Sequence, residues 1–156
     1  MAEKVNLDKF FEKNLLDGTS LRIGLVVSMF NNEITNKMYN FALDSLMEHG
    51  VDKSNIKRVN VPGAFELPLI CKKMAETNKF DSIIALGVVI KGDTDHYDFV
   101  ANNASNGIAT SSLSTGIPII FGLLTTENYK QAKDRIIDAK YYATTSIIVS
   151  NTIKNL

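Results

Sequence analysis

Three strand-length runs in this chain are apolar almost without interruption: "LRIGLVVSM" (21–29), "DSIIALGVVI" (81–90) and "IPIIFGLL" (117–124). A strand with one wet face alternates apolar and polar residues. Runs that are apolar on both parities must be covered on both faces, which a parallel sheet between two helical layers provides. A fourth run, "IKRVNV" (56–61), alternates as a short strand does. Helical stretches separate the runs. In "NNEITNKMYNFALDSLMEHG" (31–50), Ile34, Met38, Phe41 and Leu46 lie near one helical face and Gly50 closes the stretch. Pro62-Gly63 breaks the chain, which turns helical after Pro68, a residue suited to a first helical turn. Residues 95–115 are rich in Ala, Ser and Asn at helical spacing. Thr126 is placed to cap a helix over 127–140, with Tyr129, Ala132, Ile136 and Ala139 three and four apart. The closing "TTSIIVSNTIKNL" reads as helix or strand. Strand–helix alternation repeated four times predicts an α/β fold, a parallel sheet with helices on both faces. Residues 1–20, ending in the turn cluster Asp17-Gly18-Thr19-Ser20, read as an appendage to a single domain over 21–156.

Composition removes several function classes. The chain has 156 residues, enough for one domain with a substantial core. Seventeen basic and seventeen acidic residues cancel, and no basic run marks a nucleic-acid or anionic membrane surface, so neither partner is expected. The single cysteine, Cys71, excludes an internal disulfide and a cysteine metal cluster, and in "LPLICKKM" it reads as a small core residue. No stretch reaches the roughly 20 apolar residues of a membrane span. The start of the chain is amphipathic and acid-bearing, unlike a signal core, and a cytoplasmic location is expected.

Ligands of open parallel sheets bind beyond the carboxyl ends of the strands. That rule selects residues 28–31, 61–66, 88–96 and 121–126. In the third stretch, Gly92, Asp93 and Thr94 open a helix. They suit either an anion site made of backbone N–H groups or an ordinary capped turn. His96 follows, a candidate general acid or base or simply a satisfied histidine. Glu66, after "PGAF", either accepts from ligand hydroxyls or stabilises a first helical turn. Phe30 is either a stacking platform for a flat heterocycle or a hydrophobic staple. His49, before Gly50, is explained by a helix end, and two distant histidines without a carboxylate at ligand spacing speak against a metal site.

The blocks "RIGLVVSMFNNEIT" (22–35), "VPGAFELP" (61–68), "ALGVVIKGDTDHYDFV" (85–100) and "GIPIIFGLLTTEN" (116–128) resemble the 6,7-dimethyl-8-ribityllumazine synthase family in order and spacing. The resemblance implies a flavodoxin-like three-layer fold around a four-stranded parallel sheet. It also implies condensation of 5-amino-6-ribitylaminouracil with 3,4-dihydroxy-2-butanone 4-phosphate, losing phosphate and water, with no metal or organic cofactor. By position, Phe30 would stack on the pyrimidine with Asn31 nearby. Ala64, Phe65 and Glu66 would belong to the pyrimidine and ribityl site, and Val88, Val89 and Ile90 would line it through backbone groups. Gly92, Asp93, Thr94 and Arg135 would bind phosphate, His96 would shuttle protons, and Phe121 would close over the ring. Arg135 and Phe121 would come from a neighbouring copy.

The family resemblance further implies a homopentamer, in some members closed into a 60-subunit shell, with residues 1–20 at inter-subunit contacts and riboflavin synthase as a further partner. It weakens in the tail. Where the family commonly carries an "AGTKAGNKG"-like stretch after the arginine, this chain reads "IIDAKYYATT". Lys140 then either replaces the missing lysine or continues a solvated helix face. Two other readings share the fold: an archaeal-type riboflavin synthase, against which "AFE" and "GDTDH" argue, and a non-catalytic flavin- or lumazine-binding shell protein.

Overall fold

The computed structural model describes residues 5–156; the first four residues of the 1–20 segment lie outside the described residues. Four strands, β1 (Ile23–Ser28), β2 (Ile56–Val61), β3 (Ser82–Ile90) and β4 (Ile119–Thr126), form one sheet in the order β2-β1-β3-β4, and every pairing is parallel. The helices are α1 (Asn32–Glu48), α2 (Leu67–Glu76), α3 (His96–Thr115), α4 (Tyr129–Asp134) and α5 (Ala139–Lys154). The central strands are two of the uninterrupted apolar runs: β1 is buried throughout and β3 at every position but its last. Their successive residues serve opposite cores. Leu25, Val27, Ile84 and Leu86 join α1 and α5, while Val26, Ile83, Ala85 and Val89 join α2 and α3. This is the expected three-layer α/β arrangement. The connection leaving β1 runs to β2 on one side and that leaving β3 runs to β4 on the other, which opens a crevice at the carboxyl ends of β1 and β3.

The expected helix over 127–140 is not continuous. It divides into α4, a 3-10 turn at Ile136–Asp138, and the start of α5. Short-range bonds from Arg135 N–H to the Ala132 carbonyl (3.1 Å) and from Asp138 N–H to the Arg135 carbonyl (3.0 Å) make the bend. Ala132, Ile136 and Ala139 are buried on both sides of it, so the apolar period runs through the break and conceals it. Nor does Thr126 cap α4. The Asn128 side chain accepts from Gln131 N–H at 2.9 Å, and the Thr126 hydroxyl donates to the Asn128 carbonyl. The ambiguous closing stretch is helix. Its hydroxyls bond back to their own helix, Thr144 to Lys140, Ser146 to Ala143 and Ser150 to Ser146, which frees Ala143 and Ile147 to fill the core. The fourth strand also begins two residues later than expected, because Pro118 offers the sheet only its carbonyl, accepting from Ile83 N–H.

Residues 5–20 lie against the end of α1 and against α5. Asn151 Nδ2 donates to the carbonyls of Leu15 (3.0 Å) and Asp17 (2.8 Å), and Gly18 N–H donates to the His49 carbonyl. The His49 ring bridges the Ser45 carbonyl through Nδ1 (2.7 Å) and the Asp8 carboxylate through Nε2 (3.0 Å). Both partners only accept, so the imidazolium, with a proton on each nitrogen, satisfies both. Burial opposes that charge, but the Ser45 carbonyl and the Asp8 carboxylate outweigh it and raise the His49 pKa. A raised pKa places this stabilisation below the ordinary histidine value of about 6.5, and it is lost as pH rises through the folded-state value. His49→Gln should therefore lower the urea midpoint at about pH 5.5 and leave it little changed at about pH 9. An equal loss at both pH values would mean that packing, not protonation, is what the ring contributes.

Gly122 of β4 lets Tyr142 of α5 approach the sheet. A Cβ there would meet the Ala85 carbonyl oxygen at 2.6 Å, Leu86 Cδ2 at 2.8 Å and Tyr142 Cδ2 at 3.0 Å. The nearest of these is strand backbone and cannot yield. Gly122→Ala should cost about 1–3 kcal/mol through overpacking, visible as a lower urea midpoint at unchanged slope. A wild-type midpoint would show that the interface has room to spare.

Candidate active site

The site is built where β1 and β2 end together. Beyond its last paired residue β1 keeps bonding to the chain that leaves β2: Met29 N–H donates to the Val61 carbonyl (2.8 Å) and Phe30 N–H to the Pro62 carbonyl (2.9 Å). Phe30 is thereby fixed beside Pro62-Gly63, yet its side chain is 71% exposed, so it is not a buried staple. After Gly63 the chain makes a 3-10 turn, Ala64–Glu66, and enters α2 with Pro68 in the first turn. The Glu66 carboxylate folds back to accept from Gly63 N–H at 3.0 Å. One carboxylate oxygen thus organises the "PGAFE" turn, and the group stays at the surface with capacity for further donors.

The end of β3 supplies the other wall. β1 pairs with β3 only as far as Leu86, whereas β4 follows β3 to Ile90. Over Val88, Val89 and Ile90 the edge of β3 that faces β1 is therefore unpaired, a row of backbone groups open to a ligand in an apolar setting. Lys91 N–H makes one more bond, to the Thr126 carbonyl, and the chain then turns into α3. Thr94 Oγ1 accepts from His96 N–H (3.3 Å), so the threonine supports the start of the helix. The N–H groups of Gly92, Asp93 and Thr94 donate to no protein group among the described residues, and space is open around Gly92. Lys91 Nζ lies 3.9 Å from Glu127 at the outer edge, an exposed pair of small energetic weight.

These pieces enclose one cleft of ≈ 640 Å³. Of the residues singled out by sequence, Phe30, Ala64, Phe65, Glu66, Val88, Val89, Ile90, Gly92, Thr94 and His96 line it. Asn31, Asp93, Phe121 and Arg135 do not. Pro62 and Gly63, inside the 61–66 stretch but given no role of their own, also line it, as do Tyr97 and Val100, which lie outside the selected stretches; reading "HYDFV" as a helix puts Val100 one turn from His96, which was the available signal. Phe121 is not at a strand exit as expected. It pairs with Ala85 in mid-sheet, five residues short of Thr126, or roughly 16 Å along the strand. It lies on the face of β4 shared with Ile119 and Leu123, the α2–α3 side, and is 41% exposed there. Lys140 does not continue a solvated helix face: it is half-buried, the second residue of α5 after buried Ala139, with Nζ 5.5 Å above the Phe41 ring of α1, on the layer opposite the cleft of its own chain. Cys71 is fully buried in the α2–α3 core, and burial pushes its thiol up to about 12. Among the described residues no group of three or more His, Cys, Asp or Glu is placed to hold a metal, and no helix is long and apolar enough to cross a membrane.

An exposed ring at the end of β1, and an open strand edge and an N–H-bearing turn at the end of adjacent β3, agree with what the sequence blocks resemble. Residues 20–152 match the family model described as 6,7-dimethyl-8-ribityllumazine synthase, a span that takes in all four strands and every lining residue. The chain belongs to the 6,7-dimethyl-8-ribityllumazine synthase family.

Proposed function

We propose that the chain is a cytoplasmic transferase of riboflavin biosynthesis. It would condense 5-amino-6-ribitylaminouracil with 3,4-dihydroxy-2-butanone 4-phosphate to give 6,7-dimethyl-8-ribityllumazine, releasing phosphate and water. The observation that carries this reading is that the cleft offers a separate, chemically matched place to each part of the two substrates. The unpaired edge of β3 at Val88, Val89 and Ile90 suits the hydrogen-bonding rim of a uracil, and the exposed Phe30 ring suits its face. Glu66 and the neighbouring Ala64 and Phe65 suit a polyhydroxyl chain, the carboxylate accepting from hydroxyls. The unbonded N–H groups of Gly92, Asp93 and Thr94 ahead of α3 suit a phosphate. His96 opens α3 just beyond that turn and lines the same cleft.

The roles follow from the chemistry. An amine attacks a carbonyl, a phosphate leaves and water is lost, so protons must pass from nitrogen to departing oxygen. An imidazole is suited to that transfer, an effect of typically about 10²–10⁴-fold. Holding two substrates in register is worth as much or more, up to roughly 7–11 kcal/mol in well-oriented systems. His96 therefore assists a reaction whose main requirement is placement. Phe121 and Arg135 complete the site from a neighbouring copy, Phe121 covering the ring and Arg135 adding a cation to the phosphate. That neither lines the cleft of its own chain, and that Phe121 lies exposed on edge strand β4, supports this sharing. Residues 21–156 act as one domain in a homopentamer, and residues 1–20, where Phe10 is 71% exposed, contribute to contacts between copies.

Phe30→Ala should weaken binding of 5-amino-6-ribitylaminouracil in calorimetry while leaving the thermal midpoint close to wild type, since little of the ring is buried. Unchanged affinity would remove the stacking role. A charge-assisted bond to phosphate contributes roughly 1.5–3 kcal/mol, so Arg135→Ala should lower kcat/KM at least tenfold. Co-assembling Arg135→Ala and His96→Ala chains should restore activity above both parents, because about a quarter of interfaces in random mixtures carry both residues intact. Verified mixed oligomers no more active than their parents would place both residues in one subunit's site.

A further inference from the structure

We propose that Asn31 is a positioning residue that aims Phe30 through its own backbone rather than by touching a substrate, an inference that rests on the proposed function. Asn31 is the single residue between the last bonded residue of the β1 extension, Phe30, and the first residue of α1. The reversal from strand to helix is made there with φ 56° and ψ 46°, the left-handed region that Asn tolerates better than other residues with a Cβ. Its side chain caps nothing and does not line the cleft. Its carbonyl does act, accepting from Ile34 N–H (3.0 Å) and Thr35 N–H (3.2 Å) to begin α1. The corner is pinned on the far side by the buried Thr35 hydroxyl, which donates to the Ser28 carbonyl at 2.7 Å.

This corner has one consequence for the cleft. The β1–β3 pairing has already ended at Val27, and Met29 and Phe30 bond only toward the chain leaving β2, so the corner at Asn31 ends this extension beside the open Val88, Val89 and Ile90 edge. It decides where the Phe30 ring points. The ring is mostly exposed, so packing does not hold it; the Phe30 N–H bond to Pro62 on one side and the left-handed Asn31 on the other do. A corner in any other conformation would swing the ring off the open edge of β3.

Glycine adopts the left-handed region without strain, whereas alanine and valine resist it. Asn31→Gly should therefore keep the KM for 5-amino-6-ribitylaminouracil within about twofold of wild type, while Asn31→Ala and Asn31→Val raise it by at least about fivefold. The KM for the butanone phosphate and kcat should stay within about twofold in every folded variant, a split that general destabilisation would not produce. Ring resonances of Phe30 in the ligand-free protein should match wild type in Asn31→Gly and shift in Asn31→Ala. Asn31→Gly as impaired as Asn31→Ala would assign the role to the amide side chain and overturn the proposal. Wild-type behaviour in all three variants would also overturn it. If the wild-type protein does not bind the ribitylaminouracil at all, the proposed function falls, while the ligand-free Phe30 resonances still decide whether Asn31 sets the ring.

Discussion

The burial of β1 and β3 on both faces is the constraint from which the other features follow. A strand without a wet face has no lateral position for a polar group, so polarity can enter only at its ends. Both strands obey this. β1 runs apolar to Ser28 and is followed by Phe30 and Asn31, and β3 runs apolar to Ile90 and is followed by Lys91, Gly92, Asp93 and Thr94. Parallel pairing then brings these ends to one rim, and the reversal of direction between β1 and β3 opens that rim into a cleft. The chemistry sits at the strand ends because the middle of the sheet admits none.

Small differences in how far each strand runs shape the cleft. β3 outlasts its pairing with β1 by several residues while β4 stays with it to the end. The result is a backbone edge supported on one side and vacant on the other, which a flat heterocycle can occupy as if it were another strand. The Glu66 carboxylate bonded to Gly63 N–H and the Thr94 hydroxyl bonded to His96 N–H keep the flanking turns in shape. Part of the cleft wall is thus main chain held by neighbouring strands, and such a surface arrives pre-organised.

The opposite layer serves a different purpose. α1 and α5 pack together over the second core, and α5 crosses a sheet kept open for Tyr142 by Gly122. The same layer holds residues 5–20 through Asn151 and through a histidine at the end of α1 that bridges a helix carbonyl and Asp8. The tail that departs from the family pattern belongs to this layer. Lys140 lies over Phe41, away from the cleft of its own chain, so within one chain the departure alters packing between α1 and α5.

Sequence alone determined the layer order of the fold and most of the cleft, because both depend on local pattern. Uninterrupted apolar runs mark strands with two buried faces, and glycine, proline and polar residues after them mark the rim; Phe30, Glu66, Gly92, Thr94 and His96 were legible for that reason. The bend at Arg135 was not, because the spacing of Ala132, Ile136 and Ala139 continues across it and a 3-10 turn leaves no compositional trace. The starting point of β4 was not either, and with it went the position of Phe121. Whether that residue stands at the rim or in mid-sheet depends on its pairing with Ala85, a register between strands far apart in sequence. The left-handed turn at Asn31 and the unpaired edge of β3 are of the same kind. Each is a relation between segments, decided by where one strand stops against another, and no residue read singly carries it.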